Sequence, residues 1–77
     1  MLISITLHSV LREKLPTEAK GSTVLELEEG ARVRDVIARL DLPEHVSFAV
    51  NEQLERDPER VLHDGDGLRF FRAGAGG

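Results

Sequence analysis

Residues 64–77 read DGDGLRFFRAGAGG, and this stretch decides how the rest of the chain is organised. Asp64 to Gly67 predicts a tight turn, because Gly and Asp tolerate turn geometries that bulkier residues resist. Residues 68–72 interleave apolar and basic side chains, which is typical of a strand. Residues 73–77 contain only Ala and Gly, so they are expected to bury almost nothing and to form a flexible, glycine-rich tail. The stretch predicts a well-made final strand that leads to a Gly-Gly carboxylate, and the carboxylate of Gly77 is the candidate working group.

The composition describes a small soluble protein. With 77 residues, 40% of them hydrophobic and 31% charged, the chain is expected to form one β-rich domain over residues 1–72, followed by the tail. The chain contains no cysteine, which excludes a disulfide framework, a thiolate metal site and a cysteine nucleophile. The net charge of −4 argues against nucleic acid as a partner. No leader and no apolar run of membrane length is visible, so we expect a cytoplasmic protein without a membrane partner.

Two stretches in the first part of the chain alternate with a period of two residues. Residues 2–8 place Ile3, Ile5 and Leu7 on one face, and residues 23–28 alternate in the same way. The two predicted strands pair most simply as a hairpin with a long loop. Within that loop, residues 9–20 predict a short helical turn that Pro16 ends.

The middle of the chain predicts one helix. Val33, Val36, Ile37 and Leu40 share the spacing of one helix face. Arg32 stands where a capping residue would help, so the helix is expected to begin with a poor cap. Pro43 ends the helix near Leu42. Residues 47–51 then predict a short strand, and residues 52–62 a loop or a short irregular strand.

These elements follow the order β-β-α-β-β, with a further weak strand before the last one. The sequence therefore predicts an α+β fold, in which one helix packs across a mixed sheet of four to five strands and the first and last strands lie side by side in its middle. The predicted core consists of Ile3, Ile5, Leu25, Leu27, Val33, Val36, Ile37, Leu40, Phe48, Val50, Leu62, Leu68 and Phe70.

This order, together with a Gly-Gly end, resembles the ubiquitin-like β-grasp fold and, more narrowly, the MoaD/ThiS sulfur-carrier family. The resemblance covers the whole chain. The matching residues are Val50-Asn51, LHDGD at 62–66, LRFF at 68–71, Gly76-Gly77, and EGARVRDV at 29–36. The turn, the apolar strand and the Gly-Gly end together are much more specific than any one of them.

The chain also departs from the pattern of that family. Members of the molybdopterin branch usually carry Pro-Pro after the last strand, where this chain has Arg72-Ala73, and the common Asn-Gly is here Asn51-Glu52. The ending at 73–77 is closer to the thiamine branch, whereas the length and residues 9–21 look more like the molybdopterin branch. The pathway that receives the sulfur stays open.

The resemblance implies a carrier that is not itself an enzyme. An E1-like adenylating enzyme would use ATP to adenylate the Gly77 carboxylate, and a sulfur donor of the desulfurase or rhodanese type would convert it to a thiocarboxylate. An acceptor synthase, such as the large subunit of a molybdopterin synthase or a thiazole synthase, would then take the sulfur. The carrier would bind no cofactor, and it would contribute position rather than acid–base chemistry. In such a synthase it could form a non-catalytic small subunit.

The tail suits this chemistry in its size and reach. Ala73, Gly74, Ala75 and Gly76 would thread a narrow channel, because larger side chains would widen the chain. At about 3.3–3.6 Å per extended residue, the segment 73–77 reaches roughly 17 Å. The predicted docking patch beside it has Phe71, Leu54 and Leu7 at its apolar centre and Arg69 and Arg72 on its rim.

Each apolar member of the patch has an alternative interpretation. Leu7 shares the face of Ile3 and Ile5, which favours the core. Leu54 is equally compatible with loop packing, and Phe71 with partial cover by residues 52–57. The histidines at positions 8, 45 and 63 are scattered, so no metal site is predicted.

Two other functions remain open. A ubiquitin-like modifier would use the same activation and join Gly77 to lysines of target proteins. A non-covalent β-grasp binding module would carry its Gly-Gly incidentally. An enzyme is least favoured, because no nucleophile–base pair is visible in the sequence.

Overall fold

The computed structural model describes residues 1–43 and 45–72, and these residues form five strands and one α-helix. Its elements are β1 (Leu2–Leu7), β2 (Ser22–Glu26), α1 (Val33–Arg39), β3 (Ser47–Val50), β4 (Gln53–Glu55) and β5 (Gly67–Phe71). Two short 3-10 helices, Ser9–Lys14 and Thr17–Ala19, fill the loop between β1 and β2, where a helical turn was predicted. In the part of the chain that the structure describes, no helix is long and apolar enough to cross a membrane.

The strands form one mixed sheet in the order β2-β1-β5-β3-β4. β1 and β5 pair in parallel at the centre, and the other three pairings are antiparallel. The α+β class and the central position of the first and last strands are thus confirmed. The weak strand predicted after residue 51 is the short edge strand β4, which forms a hairpin with β3.

The core lies between the inner sheet face and α1. Nine predicted core residues are buried, namely Ile3, Ile5, Val33, Val36, Phe48, Val50, Leu62, Leu68 and Phe70. Four predicted members, Leu25, Leu27, Ile37 and Leu40, are only partly buried against this cluster. Leu25 lies on edge strand β2, where the sheet covers it from one side only. Four residues not predicted for the core complete it: Leu7, Leu11, Leu42 and Val46.

The N-terminus of α1 is better satisfied than the sequence predicts. Arg32 occupies the N-cap position, and its own N–H donates to Oδ2 of Asp35 at 2.8 Å. The N–H groups of the next two residues donate to the carbonyls of Arg60 and Pro58, at 3.1 and 2.9 Å. Backbone groups of the segment before β5 therefore replace the capping side chain that the sequence lacks.

The C-terminus of α1 comes earlier than predicted, at Arg39 rather than near Leu42. Asp41 adopts a left-handed φ of 54°, and its N–H donates to the carbonyl of Ala38. The N–H of Leu42 donates to the carbonyl of Ile37 at 2.9 Å. This pair of bonds is a Schellman motif, which ends the helix before Pro43 and turns Leu42 into the core.

Candidate functional site

The segment that leads to the tail is the central strand of the sheet. β5 hydrogen-bonds to β1 on one side and to β3 on the other. Arg72 follows it and is exposed. The predicted tail residues Ala73, Gly74, Ala75, Gly76 and Gly77 lie outside the described residues, so the flexible tail, the domain boundary and the role of Gly77 stay predictions. The fold thus anchors the chain firmly up to Phe71.

The turn before β5 ties the end of the chain to its beginning. Gly65 has a φ of +88°, a conformation that favours glycine. Oδ1 of Asp64 accepts the N–H of Leu2 at 2.7 Å, and the N–H of Gly65 donates to the carbonyl of Leu2 at 2.9 Å. The N–H of Ser4 donates to the carbonyl of Asp66 at 3.0 Å. These bonds fix the register in which β5 enters the sheet.

Asn51 and Asp66 join this turn to the β3–β4 hairpin. Nδ2 of Asn51 donates to Oδ1 of Asp66 at 2.9 Å, and Oδ1 of Asn51 accepts the N–H of Gly67 at 2.9 Å. Partial burial is the largest single influence on the pKa of Asp66 and acts to raise it, but the hydrogen bonds from Asn51 and the His63 N–H together hold that pKa below its usual range. The Asp66 carboxylate is therefore a structural acceptor.

Leu54 and Phe71 lie in one groove on the outer side of the sheet, away from α1. This Leu54–Phe71 groove is lined by Ser47, Leu54, Glu55, Arg56 and Phe71. Leu54 is 63% exposed, and Phe71 is half-buried. Two of the three apolar residues predicted for the docking patch are thus brought together where the last strand ends.

Leu7, the third apolar residue, does not belong to the patch. Its side chain is 1% exposed and lies in the core with Ile3 and Ile5. The physical reason is the period of two along β1, which points alternate side chains to the same face. The prediction of Leu7 as a docking residue was wrong, and its alternative interpretation as a core residue is confirmed.

Two carboxylates near the groove, those of Glu55 and Glu52, accept hydrogen bonds from arginines of the same chain. The hydrogen bond from Arg60 at 2.9 Å lowers the pKa of Glu55, helped by the N–H groups of Asp57 and Arg56. Arg69 is exposed, as predicted, and its Nε donates to Oε1 of Glu52 at 2.8 Å.

Glu52 is the site residue that the sequence reasoning missed. It stands in the two-residue loop between Val50 and Gln53 and was noted only as a departure from Asn-Gly. Asn51 and Glu52 have φ values of 51° and 72°, so both adopt the left-handed conformation of a tight hairpin turn. A charged side chain in a position that favours glycine was the signal available in the sequence.

Comparisons with known proteins agree with this geometry. The model of the ThiS family matches residues 7–77. A search of curated proteins finds no significant match. Among solved structures, the putative molybdopterin converting factor subunit 1 from Pyrococcus furiosus is 24% identical with a TM-score of 0.73, covering 94% of this chain and 97% of its own.

Two further structures share the fold. The small archaeal modifier protein 1 of H. volcanii is 16% identical with a TM-score of 0.73, covering 92% of this chain and 95% of its own. A chain from a complex of subunits 1 and 2 of the molybdopterin-converting factor from Helicobacter pylori is 17% identical with a TM-score of 0.68. The match covers 100% of this chain and 100% of that one. These likenesses establish the ubiquitin-like β-grasp fold. With the family model matched over residues 7–77, the chain belongs to the ThiS family.

Proposed function

We propose that this protein is a sulfur carrier whose Gly77 carboxylate is adenylated by an E1-like enzyme and then converted to a thiocarboxylate. The observation that carries the proposal is the match to the ThiS family over residues 7–77, which includes the Gly-Gly end. The anchoring of β5 on both sides supports it, because a carrier needs a rigid body from which a short tail reaches into a partner.

The reaction places few demands on the carrier itself. A carboxylate oxygen attacks the α-phosphorus of ATP and releases pyrophosphate. The acyl carbon then carries AMP, which leaves far more easily than the carboxylate oxygen did. The outer sulfur of a persulfide on a desulfurase or rhodanese then attacks the acyl carbon and expels AMP, which gives an acyl disulfide. A thiol reduces the S–S bond, which releases the thiocarboxylate and leaves the thiol oxidised in a disulfide. The partner enzymes supply ATP, acid–base groups and sulfur, and the chain supplies an acyl group in the right place. Its acceptor is a synthase in cofactor biosynthesis, and we expect the protein to act in the cytoplasm.

Docking is assigned to the Leu54–Phe71 groove at the end of β5. Leu54 and Phe71 form its apolar centre, and a large exposed apolar side chain beside an aromatic residue is typical of a contact surface. Arg69 and Arg72, the predicted rim residues, are both exposed. Arg69 shares the outer sheet face with Phe71, whereas Arg72 lines a different groove with Val10, Leu11 and Pro43. Arg56 lines the Leu54–Phe71 groove.

A ubiquitin-like modifier is the second candidate function. A specific observation favours it, since the small archaeal modifier protein 1 of H. volcanii shares the fold at a TM-score of 0.73. The two functions diverge only after activation, where a modifier would form an isopeptide bond with a lysine amine and a carrier would accept sulfur. Isopeptide-linked conjugates in extracts of the host would favour the modifier.

Pyrophosphate exchange tests the shared first step. The host's E1-like enzyme is incubated with ATP, labelled pyrophosphate and the protein, and exchange into ATP is expected. A matched variant with one extra Gly after Gly77 keeps the same body and tail composition and is expected to lose exchange, because its carboxylate is displaced by one residue. No exchange with the original protein would refute adenylation at Gly77 and leave a non-covalent binding module. Equal exchange with both proteins would show that the enzyme does not require the carboxylate at the position of Gly77.

A further inference from the structure

The outer sheet face carries few charges. Register and burial place twelve strand residues on it: Leu2, Ser4, Thr6, Ser22, Val24, Glu26, Ser47, Ala49, Leu54, Gly67, Arg69 and Phe71. Only Glu26 and Arg69 in this set are charged, although 31% of the whole chain is charged. Glu26 ends edge strand β2, whereas Arg69 lies on the central strand. Among these twelve strand residues, Arg69 is therefore the cation that a partner lying flat on the face must cover, whereas Arg56 follows the end of β4 at the edge of the groove.

The neighbours of Arg69 make close approach possible. Its register partners are Thr6 on β1 and Ala49 on β3, both short and uncharged. Arg69 therefore has short, uncharged neighbours on both sides of the central strand. A guanidinium that is covered without a counter-charge would lose its hydration at a large cost in free energy.

Glu52 supplies that counter-charge from within the chain. Its Oε1 accepts the Arg69 Nε–H at 2.8 Å, and the two side chains are 73% and 46% exposed. Glu52 stands in the β3–β4 hairpin turn with a φ of 72°, a conformation that suits glycine better, and its carboxylate reaches Arg69 from there. A side chain kept in a strained turn position points to a use for that side chain.

We propose that Glu52 is the built-in counter-ion of Arg69 during docking, so that Arg69 is covered with its charge already compensated. The occupant is a protein with an apolar, uncharged surface opposite Arg69. This inference rests on the proposed function, because the partner that it concerns is the E1-like enzyme that receives the tail. Glu52 selects against partners that place a second carboxylate there, since that carboxylate would be repelled by the one already in position.

Substitution of the pair one side at a time tests this assignment. Glu52→Gln keeps the side-chain length and removes the charge, so Arg69 would be covered without a counter-ion. The affinity for the E1-like enzyme, measured by calorimetry without ATP, is expected to fall by about tenfold or more. Arg69→Met leaves an exposed carboxylate that can turn to water, so its affinity is expected to fall less than that of Glu52→Gln.

The double variant separates counter-ion action from a general structural role. Glu52→Gln combined with Arg69→Met removes both charges, and the double variant is expected to bind more tightly than Glu52→Gln alone. Glu59→Gln is the matched control, because Glu59 pairs with Arg34 of α1 at 3.0 Å and does not lie on the outer sheet face. Urea unfolding of every variant shows whether it is folded before its affinity is compared.

Three results would overturn the proposal. Unchanged affinity of Glu52→Gln would show that the pair is not covered in the complex. Tighter binding would show that Glu52 competes with a carboxylate of the partner. A tenfold loss in Arg69→Met that the double variant does not restore would show that the partner supplies its own carboxylate.

Failure of the proposed function gives a different result. If the original protein itself does not bind the E1-like enzyme, the carrier function and this inference fall together. If it binds and pyrophosphate exchange is normal while Glu52→Gln is unaffected, only this inference fails. Self-association in sedimentation experiments that Glu52→Gln abolishes would identify a second copy as the occupant and would also overturn the assignment.

Discussion

Phe70 and Phe71 are neighbours on β5 that serve opposite faces of the sheet, so their alanine variants separate stability from docking. Phe70 is 0% exposed, and its ring lies 6.0 Å from that of Phe48, centroid to centroid. Phe71 is half-buried and lines the Leu54–Phe71 groove. The two substitutions remove the same atoms from adjacent positions, which makes each a control for the other.

The expected magnitudes differ because the burial differs. A buried Phe→Ala substitution lowers the free energy of unfolding by about 3–5 kcal/mol. A domain of this size has a total of about 4–12 kcal/mol, at ~0.05–0.15 kcal/mol per residue. Phe70→Ala is therefore expected to remove a large part of the stability, whereas Phe71→Ala is expected to cost about 1 kcal/mol or less. A contact aromatic at an interface is worth about 1–2 kcal/mol or more, so Phe71→Ala is expected to lose about five- to thirtyfold in affinity.

Urea unfolding followed by circular dichroism measures the first effect. With a slope of about 1–3 kcal/mol per molar urea, the midpoint of Phe70→Ala is expected to fall by about 1 M or more. Calorimetric titration of Phe71→Ala into the E1-like enzyme measures the second effect. Equal losses of stability in the two variants would refute the assignment of faces, and a folded Phe71→Ala with unchanged affinity would refute the docking site.

Three further predictions concern the turns that hold the sheet. Asp66→Asn is expected to lower the free energy of unfolding by about 1–2 kcal/mol near neutral pH, because an amide cannot replace both acceptor oxygens. The pKa of Asp66 is lower in the folded than in the unfolded protein, so the stability that its carboxylate contributes is present above the ordinary value of 3.8 and disappears as the pH falls through the folded pKa. An equal difference between the urea midpoints of Asp66→Asn and the original protein at pH 7 and at pH 2 would contradict this. Gly21→Ala is expected to lower the free energy of unfolding by about 1–2 kcal/mol, because Gly21 has a φ of +81° and an added Cβ would lie 2.9 Å from the carbonyl oxygen of Leu7. An unchanged melting temperature would show that the loop relaxes around the added methyl group. Glu52→Gly is expected to raise the urea midpoint, because glycine adopts the left-handed backbone conformation of position 52 without strain and the ion pair that is lost is exposed. A lower midpoint would mean that the Glu52–Arg69 pair stabilises the protein by more than the strained turn costs.

Much of the fold was predictable because the strands repeat with a period of two. That alternation places Leu68 and Phe70 inward and Arg69 and Phe71 outward, and the structure confirms all four. The same rule assigns Leu7 to the core, so its inclusion in the docking patch went against the local pattern. For Leu7, the alternation along β1 therefore predicted burial better than its position at the end of the strand did.

The core members that the sequence did not predict come from irregular segments. Leu11 lies in a 3-10 helix, and Leu42 and Val46 lie in the connection after α1. Such segments have no simple period, so burial there depends on tertiary contacts that a pattern along the chain does not contain. The Schellman motif at Asp41 is an example, because it is what turns Leu42 inward.

The charge arrangement of the candidate site could be predicted only in part. Arg69 was expected on the rim from alternation alone. Its partner Glu52 is 17 residues away in sequence, and the two meet only because the β3–β4 hairpin and β5 lie in one sheet. The departure from Asn-Gly marked the right position but did not indicate which residue the carboxylate would reach.

The most direct test of the carrier function is the intact mass of the protein purified from its own host under reducing, non-acidic conditions. The proposed function predicts a species in which one oxygen is replaced by sulfur, with the change confined to the C-terminal peptide that contains Gly77. A protein that shows only the plain carboxylate, even after incubation with ATP, a sulfur source and the host's activating enzyme, would contradict the carrier function.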